Sequence, residues 1–171
     1  MRRILLTCTL AFTLLPVFGG EGKAPPMNKE KSLLIDYVDP FIGTTNFGTT
    51  NPGAVCPNGM MSVVPFNVMG SADNTYDKDA RWWSTPYEYT NCFFTGYSHV
   101  NLSGVGCPEL GSLLLMPTTG ELNVDYKEYG SKYKDEQASP GYYSNYLTKY
   151  NIKTEVSATP RTGIARFTFP R

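Results

Sequence analysis

The residues best suited to chemistry are crowded into one stretch, Arg81 to Met116, which reads RWWSTPYEYTNCFFTGYSHVNLSGVGCPELGSLLLM. It holds both tryptophans, Trp82 and Trp83, and the single histidine, His99. Seven aromatics fall in the sixteen residues from Trp82 to Tyr97, followed by Ser98, Asn101 and Ser103 among Gly96, Gly104 and Gly106. Flat rings beside small polar groups and glycines suit a polar ligand with C–H faces, such as a sugar. The rings supply contact area at small entropic cost and the polar side chains set orientation. Tyr and Phe in short strands are also ordinary core and cross-strand pairs, so this stretch has a packing reading beside the binding one. His99, next to Ser98 and a Gly-rich turn, is suited either to a sugar hydroxyl or to holding the loop. Asn101-Leu102-Ser103 fits a glycosylation acceptor, read here as coincidence within a tight turn.

The elements that must carry these residues follow from composition. A chain of 171 residues makes one domain with a substantial core. Tyr, Gly and Pro are abundant and heptad patterning is absent, which favours an all-β fold rich in turns. Strands are expected within Ser32 to Ile42, from Met60 to Val68 (with Pro65 pushing towards an edge or bulge), and through Leu113-Leu114-Leu115. Further strands are expected over Tyr142 to Tyr150, Asn151 to Thr159 and Gly163 to Pro170. In the second of these, Ile152, Thr154, Val156 and Ala158 alternate with Lys153, Glu155 and Ser157, and Thr159 to Thr162 supplies the turn to the third. That is an antiparallel meander with one wet face, and the fold expected is an antiparallel two-sheet β-sandwich.

Several chemistries are disfavoured. The 15 basic and 15 acidic residues cancel, and removal of Arg2 and Arg3 with a leader leaves 13 against 15. Without a basic patch, nucleic acid is not an expected partner. The glycines of Gly43 to Gly59 form neither a GxGxxG nor a GKS/T pattern, so no phosphate loop is expected. Asp73, Asp77 and Asp79 lack the glycine and closing glutamate of a calcium loop. No CxxC or His-rich spacing suggests zinc. Cys56, Cys92 and Cys107 allow one disulfide at most, and Cys92 with Cys107 is a pairing that the sequence leaves open.

Residues 1–20, MRRILLTCTLAFTLLPVFGG, have the charged start, apolar middle and small-residue end of a secretory signal peptide. The apolar run is shorter than the about 20 residues of a membrane span, and no other such run exists. Residues 21–31 read as a flexible leader and 32–171 as the folded domain. Export to the periplasm or the extracellular space is therefore expected.

Five segments in order resemble glycoside hydrolase family 92, the exported α-mannosidases. They are VDPFIGT (Val38–Thr44), NPGAVCPNGM (Asn51–Met60), GYSHVNLSGVG (Gly96–Gly106) with ELGSLLLMP (Glu109–Pro117), EQASPGYYSNYL (Glu136–Leu147) and TPRTGIARFTFP (Thr159–Pro170). The resemblance implies an N-terminal β-sandwich, here a truncated portion of it, from enzymes that continue into a large (α/α)6 catalytic domain. It implies calcium-dependent, exo-acting hydrolysis of α-mannosidic bonds with inversion. The calcium ligands and catalytic carboxyls would lie in the C-terminal domain, so this chain would hold no metal and no catalytic residue. Inversion requires two carboxyls about 6.5–9.5 Å apart; Glu88 and Glu109 stand isolated and are expected as surface or capping residues. The implied partners are mannose-containing glycans and the catalytic domain in cis. Trp82, Trp83, Tyr97, His99 and Asn101 are the expected sugar contacts, Asn101 standing where family members commonly carry a second histidine. A stand-alone carbohydrate-binding module and a ligand-free structural sandwich are the alternatives.

Overall fold

Two antiparallel sheets face each other across an aromatic core in the computed structural model, which describes residues 33–45, 49–68, 86–101, 111 and 113–171. The leader of residues 1–20, the segment 21–31, Asp73, Asp77 and Asp79, Trp82, Trp83, Cys107 and Glu109 lie outside these residues.

The smaller sheet contains β1 (Ala54–Val55), β2 (Ser62–Phe66), β4 (Gly96–His99) and β5 (Leu113–Leu115) in that spatial order. The larger contains β3 (Phe93–Phe94), β6 (Ser131–Ser139), β7 (Tyr142–Leu147), β8 (Ile152–Ala158) and β9 (Gly163–Thr168). A single helical turn, α1 (Tyr126–Tyr129), precedes β6, and the Asp125 side chain caps it by accepting from the Lys127 N–H.

The meander at the chain's C-terminal end follows the expected alternation. Ile152, Thr154 and Val156 of β8 are fully buried, while Lys153 points to the outer face. On that outer face Glu155 is nonetheless nearly covered, because the Arg166 guanidinium of β9 holds it through two 2.7 Å hydrogen bonds. Those bonds, aided by the Tyr142 hydroxyl, hold the Glu155 carboxyl down to about 2.

One expectation is corrected. No strand forms in the described part of Ser32 to Ile42; Leu34–Tyr37 is a 3-10 turn whose residues are all exposed. Asp36 accepts from the Leu33 N–H and Asp39 from the Phe41 N–H, and such local side-chain bonds draw the backbone out of a ladder. Pro65 lies in β2, between β1 and β4, but at Pro65 itself the strand has a neighbour only on the β4 side, an edge-like position as expected. It is tolerated there because β1 pairs only with Val63 and Ser62, leaving the Pro65 side of β2 without a ladder to break.

The chain changes sheets between β3 and β4, with only Thr95 between the two strands. Thr95 is anchored by its N–H and hydroxyl, which both donate to the Phe66 carbonyl. The corner is then turned at Gly96, whose φ of 146° is one that L side chains rarely adopt. A Cβ there would lie 2.9 Å from the Leu115 carbonyl oxygen and 2.9 Å from Leu114 Cγ. Gly96→Ala is therefore expected to destabilise the fold by about 2 kcal/mol or more, with β5 displaced. Urea unfolding checks this; a midpoint equal to that of the wild type would show the corner to be pliable.

Candidate functional site

The Gly96 corner delivers β4 to the rim of the sandwich, and it is the residues of β4 that the sequence singles out. Tyr97 pairs with Pro65 and Leu115, and His99 with Val63 and Leu113, so Tyr97 and His99 share the inner-facing side of the smaller sheet. Their surroundings differ sharply. Tyr97 is 1% exposed and packs edge-on against Phe94 and Tyr143, with centroids 5.0 and 6.0 Å away. His99 is only half-buried, and its neighbour Leu113 is 52% exposed.

Tyr97 is thus a core residue and not the surface contact the sequence suggested. Its hydroxyl lies 2.6 Å from Thr154 Oγ1, which donates its own hydrogen to Asn145 Oδ1 at 2.5 Å; Tyr97 is therefore the donor in the first bond. Desolvation drives the Tyr97 hydroxyl pKa far above its ordinary value, so it stays protonated and keeps donating. The bond links the two sheets directly beneath the strand that carries His99.

His99 Nδ1 lies 3.1 Å from the Leu113 carbonyl oxygen. Beyond it the backbone is strained: Val100 is β-branched yet has a φ of 58°. The strain is held by two backbone bonds, Val100 N–H to Ser62 O and Gly111 N–H to Val100 O. Asn101 is then locked from two sides. Its N–H donates to Ser62 Oγ at 2.7 Å, and its Oδ1 accepts from Ser98 Oγ at 2.6 Å. Gly111 leaves room for that pair, since a Cβ there would stand 2.6 Å from Ser98 Oγ. Asn101 Nδ2 is buried and, among the described residues, has no hydrogen-bond partner.

A second polar cluster supports the strand from the other end, and sequence reading did not find it. Between Lys134 and Gln137 the β6 ladder shifts register, and Asp135 takes a φ of 54°. This bulge brings Glu136 against Tyr87 and Tyr143, whose hydroxyls donate to it at 2.9 and 2.5 Å. Nearby, Asn67 Nδ2 donates to the Glu88 carbonyl and to the Tyr133 hydroxyl, its Oδ1 accepts from the Glu88 N–H, and Asn91 Nδ2 donates back to the Asn67 carbonyl. These bonds staple the segment entering β3 to the end of β2. Glu88, expected as a surface or capping residue, is 3% exposed; its carboxylate accepts from the Thr45 and Thr90 hydroxyls and from the Thr90 N–H.

Both described glutamates of this region are thus engaged in holding the fold. Among the described residues no three of His, Cys, Asp and Glu come together as a metal site. Cys56 and Cys92 are free thiols.

The fold is a two-sheet β-sandwich with a tyrosine-rich core, and comparison with known proteins places it further. The model of the glycosyl hydrolase family 92 N-terminal domain matches residues 37–171. The chain belongs to that family. It is 30% identical over 149 residues to an uncharacterized secreted glycosidase of Arthroderma benhamiae, covering 80% of this chain and 17% of the relative. A family 92 α-mannosidase from Bacteroides thetaiotaomicron aligns with a TM-score of 0.68 at 34% identity, over 80% of this chain and 18% of that one. A family 92 inverting mannosidase from the same organism aligns at 0.56 and 25% identity, again over 80% and 18%. The chain thus spans less than a fifth of the length of these relatives.

Glu136 yields a pH prediction. Burial raises its pKa, and the hydrogen bonds from Tyr143 and Tyr87 oppose that rise without cancelling it. A carboxyl whose folded-state pKa is raised binds its proton more tightly when folded than when unfolded, where the value is about 4.3. Its contribution to stability is therefore greatest below about pH 4.3 and declines as pH rises through the folded-state value. Glu136→Gln, which cannot ionise, is expected to lose that decline and to match or exceed the wild type at pH 7. Glu136→Ala removes the acceptor shared by two tyrosines and should cost about 2 kcal/mol or more. Urea unfolding of the three proteins between pH 4 and 8 decides; a Gln variant with the wild-type pH profile would contradict it.

Proposed function

We propose that the chain is the N-terminal scaffold and substrate-pocket domain of an exported, exo-acting α-mannosidase that hydrolyses α-mannosidic bonds of glycans with inversion. The observation that carries this is the family match over 37–171 together with structural likeness to two mannosidases, one of them described as inverting. In each, the matched region is under a fifth of the chain, so the catalytic acid, base and calcium are assigned to the remainder. The leader-like residues 1–20 and the secreted relative support export.

The open side of the smaller sheet supports a second element of the proposal, contact with a catalytic domain in cis. Leu113, Leu114 and Leu115 are 39–52% exposed, and Leu122 and Val124 are each 85% exposed. A groove of about 300 Å³ runs between Leu114, Met116, Leu122, Val124 and Tyr129. Consecutive exposed leucines beside a groove mark a surface made to be covered. A sugar held between that partner and the rim would meet His99 and Asn101, with one of Trp82 and Trp83 as a stacking ring.

The 171-residue chain alone is expected to leave α-linked mannobiose intact in the presence of calcium, and to bind methyl α-mannoside no tighter than about millimolar, near −4 kcal/mol. Turnover that persists through stringent purification would overturn the assignment of catalysis to the rest of the protein. In a protein joining this domain to a family 92 catalytic domain, Trp83→Ala or His99→Ala should lower kcat/KM at least about tenfold, roughly 1.4 kcal/mol of transition-state binding. Wild-type kinetics in both variants, with folding intact, would reduce the stretch to packing.

A further inference from the structure

The outer face of the larger sheet carries a notch that the packing of the core does not account for. Strand pairing sets Gln137, Ser144, Glu155 and Arg166 abreast across β6, β7, β8 and β9. Tyr142 and Tyr146 project from the same face of β7, two residues to either side of Ser144. A serine between two tyrosines leaves a depression. The β6 bulge opens beside it, with Glu136 turned to Tyr87 and Tyr143 and Asp135 left exposed. The notch measures about 140 Å³ and is lined by Asp135, Gln137, Ser144, Asn145, Tyr146 and Lys153.

Ser144 is 3% exposed, yet among the described residues its hydroxyl has no hydrogen-bond partner. Its neighbour in the row, Glu155, is already taken by Arg166 and by the Tyr142 hydroxyl. Buried hydroxyls are as a rule paired, so one left over in the wall of an open depression points to a partner from outside the chain. The two charges that line the notch are opposite in sign, and each is paired. Lys153 Nζ stands 3.4 Å from Glu155, and Asp135 stands 3.9 Å from Lys134 Nζ. No local field therefore favours an anion or a cation. What remains is the Ser144 hydroxyl and the exposed Gln137 amide, both able to donate and accept, beside the Tyr146 ring. That set suits a small neutral ring bearing hydroxyls. The notch is smaller than the about 300–1,000 Å³ of a drug-sized pocket, so it takes one such ring at a time.

We propose that this notch is a binding site for one neutral saccharide unit, held by Ser144 and Gln137 against Tyr146. It lies on the sheet that does not contain β4, and it stands or falls independently of the sugar contacts proposed for His99 and Asn101.

Amide spectra of the 15N-labelled full chain, titrated with methyl α-mannoside, methyl β-glucoside and, as a charged control, glucuronate, test it. With at least one neutral glycoside, the Ser144 and Tyr146 amides and the Gln137 side-chain NH2 are expected to shift together and to saturate. Ser144→Ala deletes only the unpaired hydroxyl. It should keep the spectrum of the folded chain and weaken that binding about three- to tenfold. Tyr146→Leu should weaken it as well. Equal affinity of the wild-type and Ser144→Ala chains overturns the proposal, as do shifts with glucuronate alone. Shifts confined to His99 and Asn101 overturn it while leaving the β4 contacts standing. An unmoved notch at concentrations of both glycosides that fill a millimolar site overturns it too.

Discussion

Burying tyrosine hydroxyls between two sheets imposes a constraint that the rest of this structure satisfies. Tyr87, Tyr97 and Tyr143 are all fully buried. Each brings a large ring that fills the space between the sheets and a hydroxyl that is costly to leave unpaired there. The ring energy is gained only if a partner is built beside each hydroxyl. Thr154 and Asn145 supply it for Tyr97, and Glu136 supplies it for Tyr87 and Tyr143. Such pairs have geometric requirements that Leu or Val would not have. The placement of β4 across from β8 and the bulge in β6 both satisfy them.

That constraint reaches the rim. With Tyr97 bonded to Thr154, β4 is fixed in rotation about its own axis, and two residues later His99 must emerge on the same side. Gly96 lets the strand start in a second sheet one residue after the first ends. The reciprocal amide bonds of Asn67 and Asn91 fix the approach to that corner. The end of β4 is thus held by polar bonds, while Leu113, Leu114 and Leu115 of β5 are exposed.

Much of the architecture was legible beforehand. β8 alternates apolar and polar residues without interruption, and the turn chemistry of Thr159 to Thr162 marks its end, so both neighbours could be placed. β6 was missed for a physical reason. Four of its nine residues, Lys132, Lys134, Asp135 and Glu136, are charged, and its inner positions include Ser131 and Glu136 instead of aliphatics. The strand is held by its neighbours' tyrosines, a long-range effect with no local periodicity. Leu33 to Val38 erred in the other direction: its apolar residues read as a strand, yet Asp36 and Asp39 bond locally and leave them on the surface.

The sequence by itself determined the class of fold and the family, because these follow from alternation, turn residues and the order of recognisable segments along the chain. It also presented Tyr97 and His99 as equivalents, two residues apart in a polar and aromatic run. Only the tertiary structure separated them. Whether a ring is core or rim depends on what the facing sheet offers: Thr154 lies beneath Tyr97, whereas His99 has passed the end of the packed interface and finds a backbone carbonyl instead. The burial of Glu88 and the pairing of Glu136 with two tyrosines likewise rest on contacts between residues distant in the chain, which no local pattern encodes.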